Sequence, residues 1–371
     1  MLLEMENITV HYGKSLAIEA ISLDVAEGSV VSATVRGCRK AARDGIEEIR
    51  RTDPKTELSA ERERGALGCE VVPGGARHPG LRTDFIGGIM ADDYFKGKIA
   101  FVTGAATKKG MGRAIALRLA EAGADVAILD KYARPKTNYP GDEGWRGLEE
   151  ELEEIKAFGV EGFALAVDVS NGTECKDATA KVLEKFGRID IFVHSAAIRG
   201  PVNVPVVDFS EEDWRAQMDV NLTGTFLISK PVVQHMTKRG GPGKIILISS
   251  LGAKMGAPGN AAYTASKWGV LGFTKSLALE LAPLRINVNS ICPGHINTDL
   301  RDNWIDDQAK LEGVSPEEFR KKAYAQMAST VPLGREGSAE DIADVAMFLL
   351  SKQADYMTGQ GINVSGGLCM I

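Results

Sequence analysis

The chain has 371 residues and a formal net charge of −6, with a sequence pI near 5.6, which argues against nucleic acid or an anionic membrane surface as its main partner. Its five cysteines (Cys38, Cys69, Cys175, Cys292 and Cys369) are odd in number, scattered and without a CxxC pair, the usage of reduced thiols in a cytoplasmic protein. No apolar run reaches the length of a membrane span, and Glu4 and Glu6 stand where a signal peptide would be basic and then apolar. No metal is expected.

The length suits one core of ordinary size plus an extension. Near the start, residues 2–10 and 17–25 alternate enough to form two strands joined at His11-Tyr12-Gly13-Lys14. This opening resembles the first strands of an ABC transporter ATPase domain, in which an aromatic at the Tyr12 position would stack on adenine. The phosphate loop GxxxxGK[ST] that such a domain needs is missing: Gly37 and Lys40 are present, without a second glycine ahead of the lysine or a hydroxyl after it. ATP binding is therefore not expected. Residues 36–88 mix Arg, Glu, Gly and Pro with little sustained periodicity, which predicts a loosely packed segment. The division drawn from these features is an N-terminal extension over 1–92 and a catalytic domain over 93–371, with Met90 as the functional start.

From residue 98 onward, strand-like runs alternate with helical ones, the signature of a parallel sheet covered on both faces. The strands fall at 99–102, 125–129, 162–167, 189–194, 244–249, 285–291 and Gly361–Val364, so the fold class is α/β with a seven-stranded parallel sheet. Leu148, Leu152 and Ile155 mark an amphipathic surface helix whose glutamates read as its solvated side.

The first of these strands runs into Thr103-Gly104-Ala105-Ala106-Thr107-Lys108-Lys109-Gly110-Met111-Gly112 and then a helix over 113–122. Glycines let such a loop turn sharply and bring backbone amides and a helix N-terminus against a diphosphate. Asp130 closes the next strand, where a carboxylate holds ribose hydroxyls; a surface aspartate is its plain alternative. Further on, Ser250 ends an apolar run, and Tyr263 and Lys267 stand at i and i+4. On a helix those two leave one face, about 5–6 Å apart at Cβ. A cation there favours the phenolate, and bringing a phenol from about 10 to near 7 takes roughly 4 kcal/mol. Taken alone, the pair reads as an ordinary surface helix, since such spacings arise by chance.

Together these ordered motifs identify residues from about 95 to 371 as resembling the short-chain dehydrogenase/reductase family, a single doubly wound Rossmann-type domain. The resemblance implies a catalytic tetrad of Asn221 (in NLTG), Ser250, Tyr263 and Lys267. It implies cofactor contacts from Thr103, Gly104, Gly110, Met111 and Gly112, from Asp130, and from the adenine-side pair Asp168 and Val169. Ser195, Ala196 and Ala197 would line the cofactor where the family usually has the rest of NNAG. Pro293, Gly294, Ile296 and Thr298 would meet the nicotinamide amide and diphosphate, beside Tyr263 and Lys267. Two departures stand out: five residues rather than three separate Gly104 from Gly110, adding Lys108 and Lys109, and His194-Ser195-Ala196-Ala197 replaces NNAG. His194 is expected to be a satisfied strand-end histidine. The added lysines could greet a ribose 2′-phosphate, whereas Asp130 would repel it, so NAD is expected, with NADP as the alternative.

The expected activity is interconversion of a secondary alcohol, or hydroxyacyl group, and a ketone by hydride transfer. Reduction of a 3-oxoacyl thioester with NADPH is the alternative, and a non-catalytic nucleotide-binding scaffold the rival of another class. Residues 299–335 read as an insertion covering the site, with Trp304 and Met327 as apolar contacts. Lys254 and Arg199 near the expected mouth read as solvated surface charge, with contact to an anionic group such as a carboxylate or acyl carrier as the alternative. The closing stretch over 358–367 resembles the family's last strand, and that resemblance implies a homo-oligomer, a tetramer or dimer, acting on a small molecule.

Overall fold

The computed structural model describes Leu3–Tyr12 and Ser15–Val25 as backbone, and then residues 94–136, 141–201 and 203–371. The readings made above for residues 36–88, for Met90 and for the side chain of Trp304 lie outside the described residues. The chain divides into two units, Met1–Thr83 and Asp84–Ile371.

In the first unit β1 (Leu3–Tyr12) and β2 (Ser15–Val25) form an antiparallel pair. Both strands run further toward the turn than their alternation suggested, because Tyr12 pairs with Ser15 and His11 with Leu16.

In the second unit seven strands form one parallel sheet: β3 (Ile99–Thr103), β4 (Asp125–Asp130), β5 (Gly162–Ala166), β6 (Ile191–His194), β7 (Gly243–Ile248), β8 (Ile286–Pro293) and β9 (Gly361–Val364). Their spatial order is β5-β4-β3-β6-β7-β8-β9. The order reverses between β3 and β6, and in open α/β sheets a crevice opens at the carboxyl ends of strands where the order reverses. β3 is buried along its whole length, as expected of a strand covered on both faces.

Alternate β3 residues serve different layers. Ala100 and Val102 pack with residues of α1 (Met111–Glu121), α2 (Leu148–Ala157) and α9 (Ala339–Leu350). Phe101 faces the other layer, with α3 (Gly172–Phe186), α5 (Gly224–Arg239) and α6 (Ala261–Leu281). There it meets Phe192 with ring centres 5.8 Å apart; each such buried side chain contributes about 1.5–3 kcal/mol.

Two details position the site. α4 (Glu211–Met218) gives way to a π-helical turn, Asp219–Thr223, before α5 begins, so Asn221 sits in a widened turn rather than a regular helix; such turns are frequent at functional sites. Gly269 of α6 packs onto that turn so closely that a Cβ would lie 2.6 Å from Leu222. The 299–335 segment consists of α7 (Asp299–Glu312) and α8 (Pro316–Thr330), joined where the Tyr324 hydroxyl donates to Asp302 and the Arg301 guanidinium lies 4.1 Å from the Tyr324 ring centre. Met327 of α8 is half-buried. Among the described residues no helix is long and apolar enough to cross a membrane.

Candidate active site

The glycine loop is shaped by contacts that exclude side chains. Gly104 has φ of +73°, and a Cβ there would lie 2.5 Å from the amide nitrogen of Ala196. A Cβ on Gly112 would lie 2.3 Å from the Gly104 carbonyl oxygen, so the first turn of α1 can approach the end of β3. No side chain caps that turn and no acidic residue lies in it, leaving its amide dipoles as an anion site. The Trp145 indole donates to the Ala106 carbonyl at 2.8 Å and carries the Arg113 guanidinium 4.9 Å from its ring centre, which pins the loop from outside.

A cleft of about 740 Å³ opens along these carboxyl ends. Of the residues singled out in the sequence, Gly104, Gly110, Met111, Asp130, Asp168, Val169, Ser195, Ala196, Ala197 and Thr298 line it. Thr103, Gly112, Pro293, Gly294 and Ile296, also singled out, do not line it. Gly294 donates to the Val364 carbonyl at 2.9 Å and Ile296 bridges to Gly337, so this segment fixes the start of α7.

The Asp130 carboxylate accepts the Ala106 amide at 3.0 Å and the Lys131 amide at 2.7 Å; burial nevertheless pushes it above the usual carboxyl range. Lys131, Tyr132, Pro135 and Lys136 also line the cleft, a contribution missed in the sequence. Lys131 Nζ lies 2.6 Å from Asp168. Burial raises the Asp168 carboxyl, but hydrogen bonds from Lys131 and Ser170 together hold it below its ordinary value. The position of Lys131 directly after the ribose-side acid was the available signal.

The inserted lysines are engaged elsewhere. Lys108 donates to the Gly141 carbonyl at 2.6 Å, and Lys109 Nζ lies 3.2 Å from Asp302 of α7. His194 shares a 2.8 Å hydrogen bond with the Thr103 hydroxyl through Nδ1, and that hydroxyl accepts the amides of Ser195 and Ala196. Burial, reinforced by the Lys267 charge, lowers its pKa to about 3. The ring is therefore neutral, but it is only half satisfied, since Nε2 is buried without a hydrogen-bond partner among the described residues.

Tyr263 and Lys267 leave one face of α6. The Lys267 ammonium is 5.9 Å from the Tyr263 ring centre and donates to the Ile248 carbonyl at 3.0 Å. Its burial pulls it below the ordinary lysine range against the attraction of Tyr263. Ser250, just beyond β7, accepts the Gly252 amide at 3.1 Å, so its own proton is the one it can offer outward. Asn221 accepts the Ile198 amide at 2.8 Å and donates to the Ile198 carbonyl at 2.9 Å and to Ser266 at 3.3 Å.

Ser250, Tyr263 and Lys267 do not themselves line the cleft. Arg199 joins the two regions: it is in the cleft wall, and its guanidinium is 5.4 Å from the Tyr263 ring centre. It is half-buried, so its reading as solvated charge is corrected. Lys254 is likewise tied down, donating to the Gly361 carbonyl at 3.1 Å.

A glycine-loop crevice leading to a serine, a phenol and a buried ammonium defines a nicotinamide-dependent oxidoreductase. The enoyl-(acyl carrier protein) reductase family profile matches residues 104–369. The 3-oxoacyl-[acyl-carrier-protein] reductase FabG of Staphylococcus epidermidis is 39% identical over 274 residues, covering 74% of this chain and 99% of that protein. Among solved structures, an actinorhodin polyketide ketoreductase with NADPH has a TM-score of 0.63 at 34% identity, covering 73% of this chain and 97% of its own. Carveol dehydrogenase from Mycobacterium avium in complex with NAD has a TM-score of 0.64 at 30% identity, covering 74% and 98%. The chain belongs to the short-chain dehydrogenase/reductase family, NAD(P)-dependent oxidoreductases acting on CH–OH and carbonyl groups.

Proposed function

We propose that residues 93–371 are the catalytic domain of an NAD-preferring dehydrogenase that interconverts a secondary alcohol and a ketone. The observation that carries this reading is the buried Lys267 ammonium 5.9 Å from the Tyr263 ring on one helical face. Tyr263 takes the hydroxyl proton of the alcohol, or returns it to the ketone oxygen in reverse. Lys267 keeps a positive charge beside that oxygen; one of its three protons is fixed on Ile248, leaving two for a ribose hydroxyl and a water. Ser250 donates to the substrate oxygen.

Asn221 positions the loop after β6, and the remaining lone pair of its carbonyl oxygen can hold the water that joins Lys267 to solvent. The crevice residues fit a dinucleotide: the backbone amides of the glycine loop would hold the diphosphate, and Asp130, in the same cleft wall, would hold ribose hydroxyls. When bound, the nicotinamide accepts or delivers the hydride.

Asp130 supports NAD, and Lys108 and Lys109, bonded to Gly141 and Asp302, leave little support for a 2′-phosphate site. The similarity to FabG favours a second reading, reduction of a 3-oxoacyl thioester. Phe226 on α5 and Trp268 and Leu279 on α6 are exposed, which supports a homo-oligomer through these helices. The free, buried Cys175, Cys292 and Cys369 support a cytoplasmic location.

The test is turnover of secondary alcohols and 3-hydroxyacyl thioesters with each nicotinamide cofactor, in the wild type and in Tyr263→Phe. Acid–base help of this kind is worth about 10²–10⁴ in rate, and near-normal turnover of Tyr263→Phe would refute the assignment.

A further inference from the structure

We propose that cofactor binding is proton-linked at Asp299: its carboxyl forms part of the wall of the dinucleotide site, which holds a diphosphate best when that carboxyl is neutral. This rests on the reading of the glycine-loop crevice as the dinucleotide site. Asp299 lines the crevice together with Gly110 and Met111. Its Oδ2 accepts the Lys109 amide at 3.3 Å, and Lys109 directly precedes Gly110 and Met111, where the uncapped first turn of α1 offers its amides to an anion. Successive Cα atoms are about 3.8 Å apart, so those amides begin within two residue lengths, about 8 Å, of the one that Asp299 holds.

The surroundings of this carboxyl compensate its charge poorly. Asp299 is only 4% exposed, and its Oδ1 is buried without a hydrogen-bond partner among the described residues. A carboxylate left with one long amide contact and an unpaired buried oxygen bears most of its desolvation penalty. From the segment after β4, Asp142 adds like charge. Asp302 of α7 does the same, although it holds Lys109 Nζ at 3.2 Å and lies 3.8 Å from Arg320 Nε. From the glycine loop, the Lys109 amide and charge favour the ionised form. Burial outweighs them, helped by Asp142, and raises the pKa to about 6. A diphosphate brings two more negative charges into the same crevice and raises it further, so binding takes up a proton.

The direction follows from linkage. As pH rises through the value of the free protein, the empty site ionises, and the cofactor either restores the proton or meets the charge; affinity falls, then levels off above the value of the bound state. Asp130 acts the other way. Burial raises its pKa too, but ribose hydroxyls donating to it favour the carboxylate, so its titration weakens binding toward acid pH. A variant that loses Asp299 alone separates the two.

The test titrates the full chain with NADH, followed by its fluorescence, from about pH 5.5 to 8.5 in the wild type, in Asp299→Asn and in Asp142→Asn; NADPH is avoided because a phosphate monoester titrates near pH 6. The ratio of the wild-type Kd to that of Asp299→Asn should rise by roughly five- to tenfold across this range, as a pKa shift of about one unit requires. Calorimetry near pH 6.5 in two buffers of different ionisation enthalpy should show the wild type taking up about half a proton more than Asp299→Asn. In Asp142→Asn the midpoint of the change should move to lower pH.

A Kd ratio independent of pH, or equal proton uptake in the two proteins, would overturn the proposal. If Asp299→Asn does not fold, the absence of proton uptake by the wild type, or a midpoint unmoved in Asp142→Asn, overturns it instead. NADH binding that is tight and indifferent to pH sinks this inference alone. No NADH binding at any pH sinks the reading of the crevice beneath it.

Discussion

Lys109 Nζ lies 3.2 Å from the Asp302 carboxylate, and the Lys109 amide donates to Asp299 at 3.3 Å. Of the two residues that lengthen the glycine loop, Lys109 therefore ties it to the first turn of α7. Asp302 is buried and also receives the Tyr324 hydroxyl, so Lys109→Ala leaves it with less compensation. Urea unfolding should show a loss of about 1–3 kcal/mol, toward the lower end because Tyr324 remains. The ratio of NADP to NAD efficiency should stay within about twofold. A fall of tenfold or more would mean that this ammonium reaches the cofactor phosphate after all.

Asp130 should set that ratio. Two unit charges about 4 Å apart at an effective dielectric near 20 repel by about 4 kcal/mol, and a 2′-phosphate on the ribose would stand at about that range from the carboxylate. In Asp130→Ala the KM for NAD should rise by at least about tenfold while NADP improves relative to it. Unchanged cofactor kinetics in this variant would show that the carboxylate serves only the Ala106 and Lys131 amides.

Glu151 tests a different kind of residue. It is fully buried, both carboxylate oxygens lack a hydrogen-bond partner among the described residues, and burial pushes its pKa well above the usual carboxyl range. A group raised in this way supports the fold below its unfolded value near 4.5 and withdraws that support as pH rises through the folded value. Glu151→Met should therefore be more stable than the wild type by about 1–3 kcal/mol at pH 8, with the advantage shrinking by pH 5. Activity should change little, since Glu151 does not line the cleft. A variant less stable at both pH values would contradict this account.

How much of this was legible in the sequence depends on how local each cause is. β9 matches its expected span, and β3 and β7 end within a residue of theirs, because apolar runs bounded by turns leave one choice of register. β6 starts two residues later than its apolar run, since Asp190 instead takes the Ile99 amide at 3.1 Å and pairs with Arg188 and Arg239. Tyr263 and Lys267 were readable because one helical turn relates them. Glu151 was not: a run of glutamates looks solvated throughout, and the packing of α2 decides which one turns inward while Glu149 and Glu153 pair with Arg146 at the surface. Arg199 and Tyr263 meet only because the loop after the central strand β6 and the start of α6 come together beyond the carboxyl ends of the strands, a relation that no spacing encodes.

The last prediction concerns Asp299, the first residue of α7. A carboxylate at a helix N-terminus gains about 0.3–1 kcal/mol from the backbone dipoles, and the Lys109 amide adds a hydrogen bond. Burial outweighs both, helped by the nearby Asp142 and Asp302 charges, and raises its pKa from 3.8 to about 6. Because the folded value is the higher one, the contribution to stability is complete below about pH 4 and is lost as pH rises through 6. At 1.36 kcal/mol per unit the loss is at most about 3 kcal/mol. Asp299→Asn keeps an oxygen for the Lys109 amide but has nothing to titrate. Its stability, followed by urea unfolding from pH 4 to 7.5, should fall less than that of the wild type, and the difference should develop between pH 4 and 6.5. Parallel curves for the two proteins would show that Asp299 ionises with its ordinary pKa and that α7 carries no penalty at neutral pH.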